Sequence, residues 1–325
     1  MSLVEYNIYT TGDMGDARMQ HLTTSFNEVF EKVIKAGYFK KYFTSNPLGE
    51  SFHSLMEHNG AVVGALTATP YEYSYNGEKK IFTYLGGLFI KLAYRKDALA
   101  MFKMYKNLKS LLVEKNIALM MAVPNENSFP YFKHALKWTH VGNLPWYTLP
   151  IRYGNITGKA KFFNFASLMY LKLHLNVNNL ITAVANTKDK PKDIFLLPHD
   201  PLMEEQRYTE DHKKITKKNF SAFYLTIKEK GINTAYLIDF YNAQKDRDSR
   251  SLYYAVKYIS TNEQVDIILF VGTLGMKQQV LIKIPEAKEP RNLNFCLELL
   301  DKTLNKNEIS QMRSWNFGLY NFDVR

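Results

Sequence analysis

The chain has 325 residues, 46% of them hydrophobic and 14% aromatic, with a formal net charge of +11. That length and apolar content suit two ordinary globular domains or one large one, and exclude a disordered chain. Apolar runs are short and broken by Lys, Asn or Gly, which excludes a transmembrane helix. The one cysteine, Cys296, excludes an intramolecular disulfide and a Cys-based zinc cluster.

The N-terminal stretch carries Glu5, Asn7, Asp13 and Asp16 in place of a basic start and an apolar run, so no secretory leader and a cytoplasmic location are expected. The eight histidines show no metal-ligand spacing, and no metal is expected. The positive charge suits anionic partners: CoA phosphates, nucleotide sugars, lipid headgroups or RNA. In chain order, residues 4–9 read as a strand and 12–15 as a loop. Phe26, Val29, Phe30, Val33 and Ile34 mark an amphipathic helix ending near Gly37. Residues 51–57, 61–75 and 79–90 read as three antiparallel strands joined at Asn59-Gly60 and Asn76-Gly77, the dipeptide that best tolerates both turn positions of a hairpin. Pro70 predicts a bulge or break in the middle strand.

After the third strand come a charged turn, Tyr94-Arg95-Lys96-Asp97, and a helix over 98–115. Met101, Met104, Tyr105, Leu108, Leu111 and Leu112 hold its apolar face and Lys103, Lys106, Lys109 and Glu114 the other. Asp97 reads as its N-cap and Asn116 as its left-handed stop. A buried strand, 118–123, the turn Pro124-Asn125-Glu126-Asn127 and a short second helix follow. The start of the first helix offers backbone N–H groups and a positive dipole end, which suit a pyrophosphate.

These residues resemble a known family. Arg95-x-x-Ala98-x-Ala100, between a strand and a helix, is similar to the acyl-CoA pyrophosphate loop of the GNAT acetyltransferases, with Ala98 where that family has glycine. The resemblance implies an α/β fold, a mixed sheet flanked by helices, with acetyl-CoA or another acyl-CoA as cosubstrate. It implies that Arg95 and Lys96 neutralise CoA phosphates while the backbone of Asp97, Ala98, Leu99 and Ala100 cradles the pyrophosphate. Leu88, Phe89 and Ile90 would pair their backbone with the pantetheine arm, and Asn125 and Asn127 would lie against it. Tyr131 is the candidate general acid, although the family register falls on Phe132 or Lys133. Glu72 is the candidate base, with Glu57 and Glu126 as alternatives.

A strand at 146–151 ends the first unit near Arg152. Residues 162–181 form an apolar helix read as a connector, with an interfacial membrane helix as the sharper alternative, and 188–193 a linker. The second half repeats strand, helix, strand: a hairpin over 223–228 and 232–241, a helix from about Asp248, a buried strand at 265–271, an ambiguous 272–283, and strands at 293–299 and around 315–319. That is the trace of a duplication. The expected domains are a GNAT-like 1–152, a helical connector 153–198 and a degenerate GNAT-like 199–325, whose pyrophosphate turn, 245–250, carries two aspartates and no glycine. The expected function is acyl transfer from acyl-CoA to a primary amine, with an amino-sugar intermediate of surface polysaccharide as one acceptor. The alternatives are a FemX-like transferase drawing on aminoacyl-tRNA, and a catalytically dead scaffold; peripheral membrane association stays open.

Overall fold

The computed structural model describes residues 3–97, 99–158, 163–184, 195–201, 204, 207–276 and 278–322. The expected linker at 188–193 lies outside them. Asn59 and Gly60 have φ of 52° and 75°, and Asn76 and Gly77 of 50° and 85°, the double left-handed geometry of a tight hairpin turn. They join β2 (Phe52–His58), β3 (Ala61–Tyr75) and β4 (Glu78–Ile90), with β1 (Glu5–Thr10) antiparallel to β2. β5 (Leu119–Ala122) runs parallel to β4, and β6 (Thr139–Asn143) completes the first-half strands of this sheet. Between β5 and β6 lies a strand from far along the chain, Asn294–Leu299, antiparallel to β5.

Helices α1 (Gly15–Phe30) and α2 (Ala36–Thr44) contribute to the core on one sheet face, with Leu55, Val62, Ala65 and Phe89. On the other face α3 (Ala100–Glu114) inserts Met101, Met104, Tyr105, Leu108 and Leu112 among Phe52, Leu66, Leu85 and Met120. Met104, Leu108 and Leu112 are wholly buried, each worth about 1.5–3 kcal/mol of transfer free energy. Asn116 ends this helix at φ 56°, as expected.

Two local expectations are corrected. The first helix begins at Gly15 and stops at Phe30, where Glu31 takes a left-handed C-cap, so Val33 stands 98% exposed and Gly37 falls inside the first turn of α2. Five apolar residues fix a helical period without fixing its start. The second is Pro70, which pairs in register with Thr83 and breaks nothing. The β2 ladder ends at Phe52↔Ala68, so the missing N–H is taken from no β2 bond. Residues 272–283, left open between helix and strand, hold the two-residue strand Ile282–Lys283 among the described residues.

The chain divides into two compact units that are not collinear. One comprises Met1–Gly142, Leu197–Arg207 and Asn294–Ser310; the other comprises Asn143–Leu196, Tyr208–Leu293 and Gln311–Arg325. This departs from boundaries at 152 and 198. The second unit opens with β7 (Trp146–Pro150), α4 (Tyr153–Thr157) and α5 (Phe163–Val184). Its sheet runs Ile282–Lys283, β7, Ile267–Val271, Ile232–Tyr241, Phe220–Glu229, His212–Lys217. An antiparallel hairpin leads into a parallel step, Ile232–Tyr241 with Ile267–Val271, joined through the helix Ser249–Asn262. Then comes an antiparallel strand from the other half of the sequence, β7 here and Asn294–Leu299 in the first sheet. The two sheets share one plan, each taking the strand beside its parallel pair from the other half of the sequence.

Candidate functional site

β4 and β5 part company. Their parallel ladder holds Phe82↔Leu119, Thr83↔Met120 and Tyr84↔Met121 and stops there, while β4 continues to Ile90. The β3 register explains the divergence: Thr67 faces Gly86 and Ala65 faces Phe89, so β4 carries an extra residue, a bulge centred on Gly87 at φ 61°. A glycine takes that conformation without strain, and the bulge bends β4 away from its neighbour. The result is a fork whose β4 arm offers backbone groups to an extended ligand. Leu88 and Ile90 turn toward the α3-side core and Phe89 is buried in the α1-side core, so their side chains pack while their backbone faces the fork.

Beyond Ile90 the chain enters the charged turn. Arg95 and Lys96 are exposed, and Arg95 Nε donates to the Ile90 carbonyl at 2.8 Å, folding the guanidinium back over the end of β4. Asp97 makes the capping bond its position suggests, although the regular turns of α3 begin only at Ala100. Its carboxylate accepts from the Leu99 N–H (2.9 Å), from Lys103 Nζ (3.0 Å) and from the Tyr6 hydroxyl (2.8 Å). Lys103 first, then Tyr6, hold that carboxyl below its usual range. The Ala100 N–H is held too, by the Asp97 carbonyl at 3.1 Å. Leu99 is exposed and Ala100 buried; Ala98 lies outside the described residues.

At the exit of β5, Asn125 and Asn127 are exposed. Asn125 Oδ1 accepts from the N–H groups of Asn127 and Ser128, which makes it a turn-forming side chain. Tyr131 is 49% exposed at the start of a single π-type turn, Tyr131–Ala135, whose Phe132 packs edge-on against Trp138. Glu72 is not brought to the fork. It faces Ile81, on the near side of the zipped stretch of β4, and its carboxylate pairs with Lys79 at 2.7 Å. Glu57 is buried on Arg18, Asn7 and Tyr9. Burial pushes its carboxyl up, and the Asn7, Arg18 and Tyr9 donors together bring it below the usual range.

Sequence reasoning missed His53. This wholly buried ring bridges two hydroxyls, Thr11 Oγ1 at 2.9 Å from Nε2 and Thr67 Oγ1 at 3.0 Å from Nδ1. Whichever nitrogen bears the proton, one threonine donates and the other accepts. Thr67 faces Gly86 in the ladder, and its Oγ1 lies 3.9 Å from where a Cβ on Gly87 would stand. The chain Thr11–His53–Thr67 therefore braces the bulge from beneath. Burial lowers the His53 pKa to about 3, so the ring is neutral. A lone histidine on a strand carries no signal of this role; only the register across β2, β3 and β4 does.

The sequence matches no protein-family model and no curated protein. Solved structures do resemble it. A GCN5-related N-acetyltransferase from Anabaena variabilis superposes with a TM-score of 0.58 at 10% identity, over 91% of this chain and 73% of that one. A probable N-acyltransferase from Enterococcus faecalis gives 0.56 at 10% identity over the same shares. The Saccharomyces cerevisiae N-myristoyltransferase with bound myristoyl-CoA gives 0.50 at 8% identity, over 91% and 83%. The fold is that of the GNAT acyltransferases.

The second unit has a fork of its own, filled by its own chain. Ile232–Tyr241 pairs with Ile267–Val271 only from Thr234 to Leu237. Past that point Arg247 donates to buried Asp239 (Nε 2.7 Å, Nη2 2.5 Å) and, through Nη1, to Asn316. Thr273 and Phe317 bond to each other, and Gly272 bridges Gly318. The helix start that corresponds to α3 is closed by a capping box, with Asp248 accepting from the Ser251 N–H at 2.6 Å.

Proposed function

We propose that the chain is an acyl-CoA-dependent N-acyltransferase working in its first unit. The observation that carries the proposal is the fork at Tyr84↔Met121 with the Gly86–Gly87 bulge, which leads by way of Arg95 and Lys96 to the start of α3. The pantetheine arm would lie along the backbone of Leu88, Phe89 and Ile90, with Asn125 and Asn127 at the mouth of β5. The phosphates would meet Arg95, Lys96 and the backbone of Asp97, Ala98, Leu99 and Ala100. A bulge N–H would polarise the thioester carbonyl as an amine attacks it, and the C–S bond then breaks to release the thiolate. Tyr131 is proposed to protonate that thiolate, and the proton given up by the attacking amine restores the tyrosine hydroxyl. The acyl group is proposed to be acetyl and the acceptor a primary amine, with amino sugars as the class to try first.

The filled fork and capped helix of the second unit support one acyl-CoA per chain. The test is calorimetry with acetyl-CoA on the full chain. Arg95→Glu should weaken binding about tenfold or more, the worth of a charge-assisted hydrogen bond, with Tm nearly unchanged because the residue is exposed. Stoichiometry near two, or an affinity indifferent to Arg95→Glu, would sink the assignment.

A further inference from the structure

α5 packs one side of itself into the second core through Leu171 and Leu175, against the helix Ser249–Asn262. Among the described residues, none of the second unit's elements covers its other side. Phe165, Met169, Leu173, Val177 and Leu180 recur at helical spacing along that side, each between 46% and 71% exposed. At 100° per residue Phe165, Met169, Tyr170, Leu173, Val177, Leu180 and Ile181 sweep about 160° of the helix, with exposed Asn176 inside the arc and Leu168 about 60° outside it. Scattered surface leucines need no explanation, but a largely apolar face of this length marks a surface that something covers. No helix among the described residues is long and apolar enough to cross a membrane, so the face would lie along an apolar surface and not through one.

Charge identifies the occupant. From Tyr153 to Lys188 the sequence contains no aspartate or glutamate but four lysines, in a chain whose net charge is +11. Among these, Lys172 is exposed and flanks the apolar arc, where its stem can follow the apolar surface while the ammonium reaches headgroups. A second helix would need a narrower seam than 160°. A planar apolar layer with anionic headgroups matches both the width of the arc and its charge. We propose that α5 seats the protein on an anionic lipid surface, with the Phe165–Leu180 face immersed at the headgroup boundary.

The test is sedimentation of the full chain with vesicles of phosphatidylcholine alone and with about 30% phosphatidylglycerol, beside the double variant Leu173→Glu/Leu180→Glu. Both positions are exposed, so the variant should keep its Tm. The expected result is binding to the anionic vesicles, weakened at least about tenfold in the variant and by high salt. Equal binding to neutral and anionic vesicles, or binding that the double variant does not change, would overturn the proposal. So would light scattering that shows a dimer dispersed by the same variant in a chain that binds no vesicles, since the face would then belong to a second copy.

Discussion

Acid should destabilise this protein through His53 before most of its carboxylates protonate. The ring is wholly buried between two threonine hydroxyls, and burial sets its pKa at about 3 against an ordinary 6.5. A histidine that stays neutral in the fold but takes a proton when unfolded pulls the equilibrium toward the unfolded chain as pH falls. The stabilisation is complete above about pH 6.5 and is lost progressively down to about pH 3. Each pH unit in that window costs about 1.36 kcal/mol, so about 2 kcal/mol is gone at pH 5 and about 5 kcal/mol below pH 3. Other groups titrate too, so the measurement is a difference. Chemical denaturation of wild type and His53→Gln is compared at pH 7.5 and pH 5, glutamine keeping a donor and an acceptor without a titrating ring. The stability gap between the two proteins should shift by about 2 kcal/mol in favour of the variant on acidification. A gap that is the same at both pH values would mean that the ring is hydrated, and the brace beneath the Gly87 bulge would fall with it.

Thr67→Val removes the hydroxyl beneath the bulge and leaves a buried ring nitrogen without its partner. It should cost about 1–3 kcal/mol in denaturant titrations and lower acyl transfer more than acyl-CoA affinity; an unchanged rate would make the brace purely structural. Arg247→Met strands the carboxylate of Asp239, which is wholly buried, and should cost about 3–5 kcal/mol with no change in acetyl-CoA affinity by calorimetry. Adding Asp239→Asn should restore most of that loss. Gly272→Ala places a methyl against the backbone of Phe317 and Gly318 at φ 135°; a loss above about 3 kcal/mol, or no soluble protein, is expected from expression and melting trials.

Much of the first sheet was legible because its cues are local. Asn59-Gly60 and Asn76-Gly77 dictate their own turns, and the Met101–Leu112 period dictates which side of α3 is buried. Leu293, Phe295, Leu297 and Leu299 alternate and so read as a strand, but alternation gives a face and never a partner; nothing in those residues says that their neighbour is β5. Tyr94-Arg95-Lys96-Asp97 was found as the turn before a helix. The bond of Asp97 to the Leu99 N–H is local and legible, whereas its bond from Tyr6 is remote in sequence and is not. The bulge had only its glycine pair as a signal, and Pro70, a louder one, pointed to the wrong place.

The exchanged strands bear on how the chain is made. The Asn294–Leu299 edge of β5 stays bare until a segment about 170 residues further on has left the ribosome, roughly 10–30 s later at ordinary elongation rates. Through that interval the first sheet presents an open row of backbone donors and acceptors, the kind of edge on which nascent chains stick to one another. Contacts this distant in sequence also slow the search for the native pairing. A stop codon anywhere before residue 294 would therefore release an adhesive remnant in place of a working half, and demand for chaperones should peak late in translation.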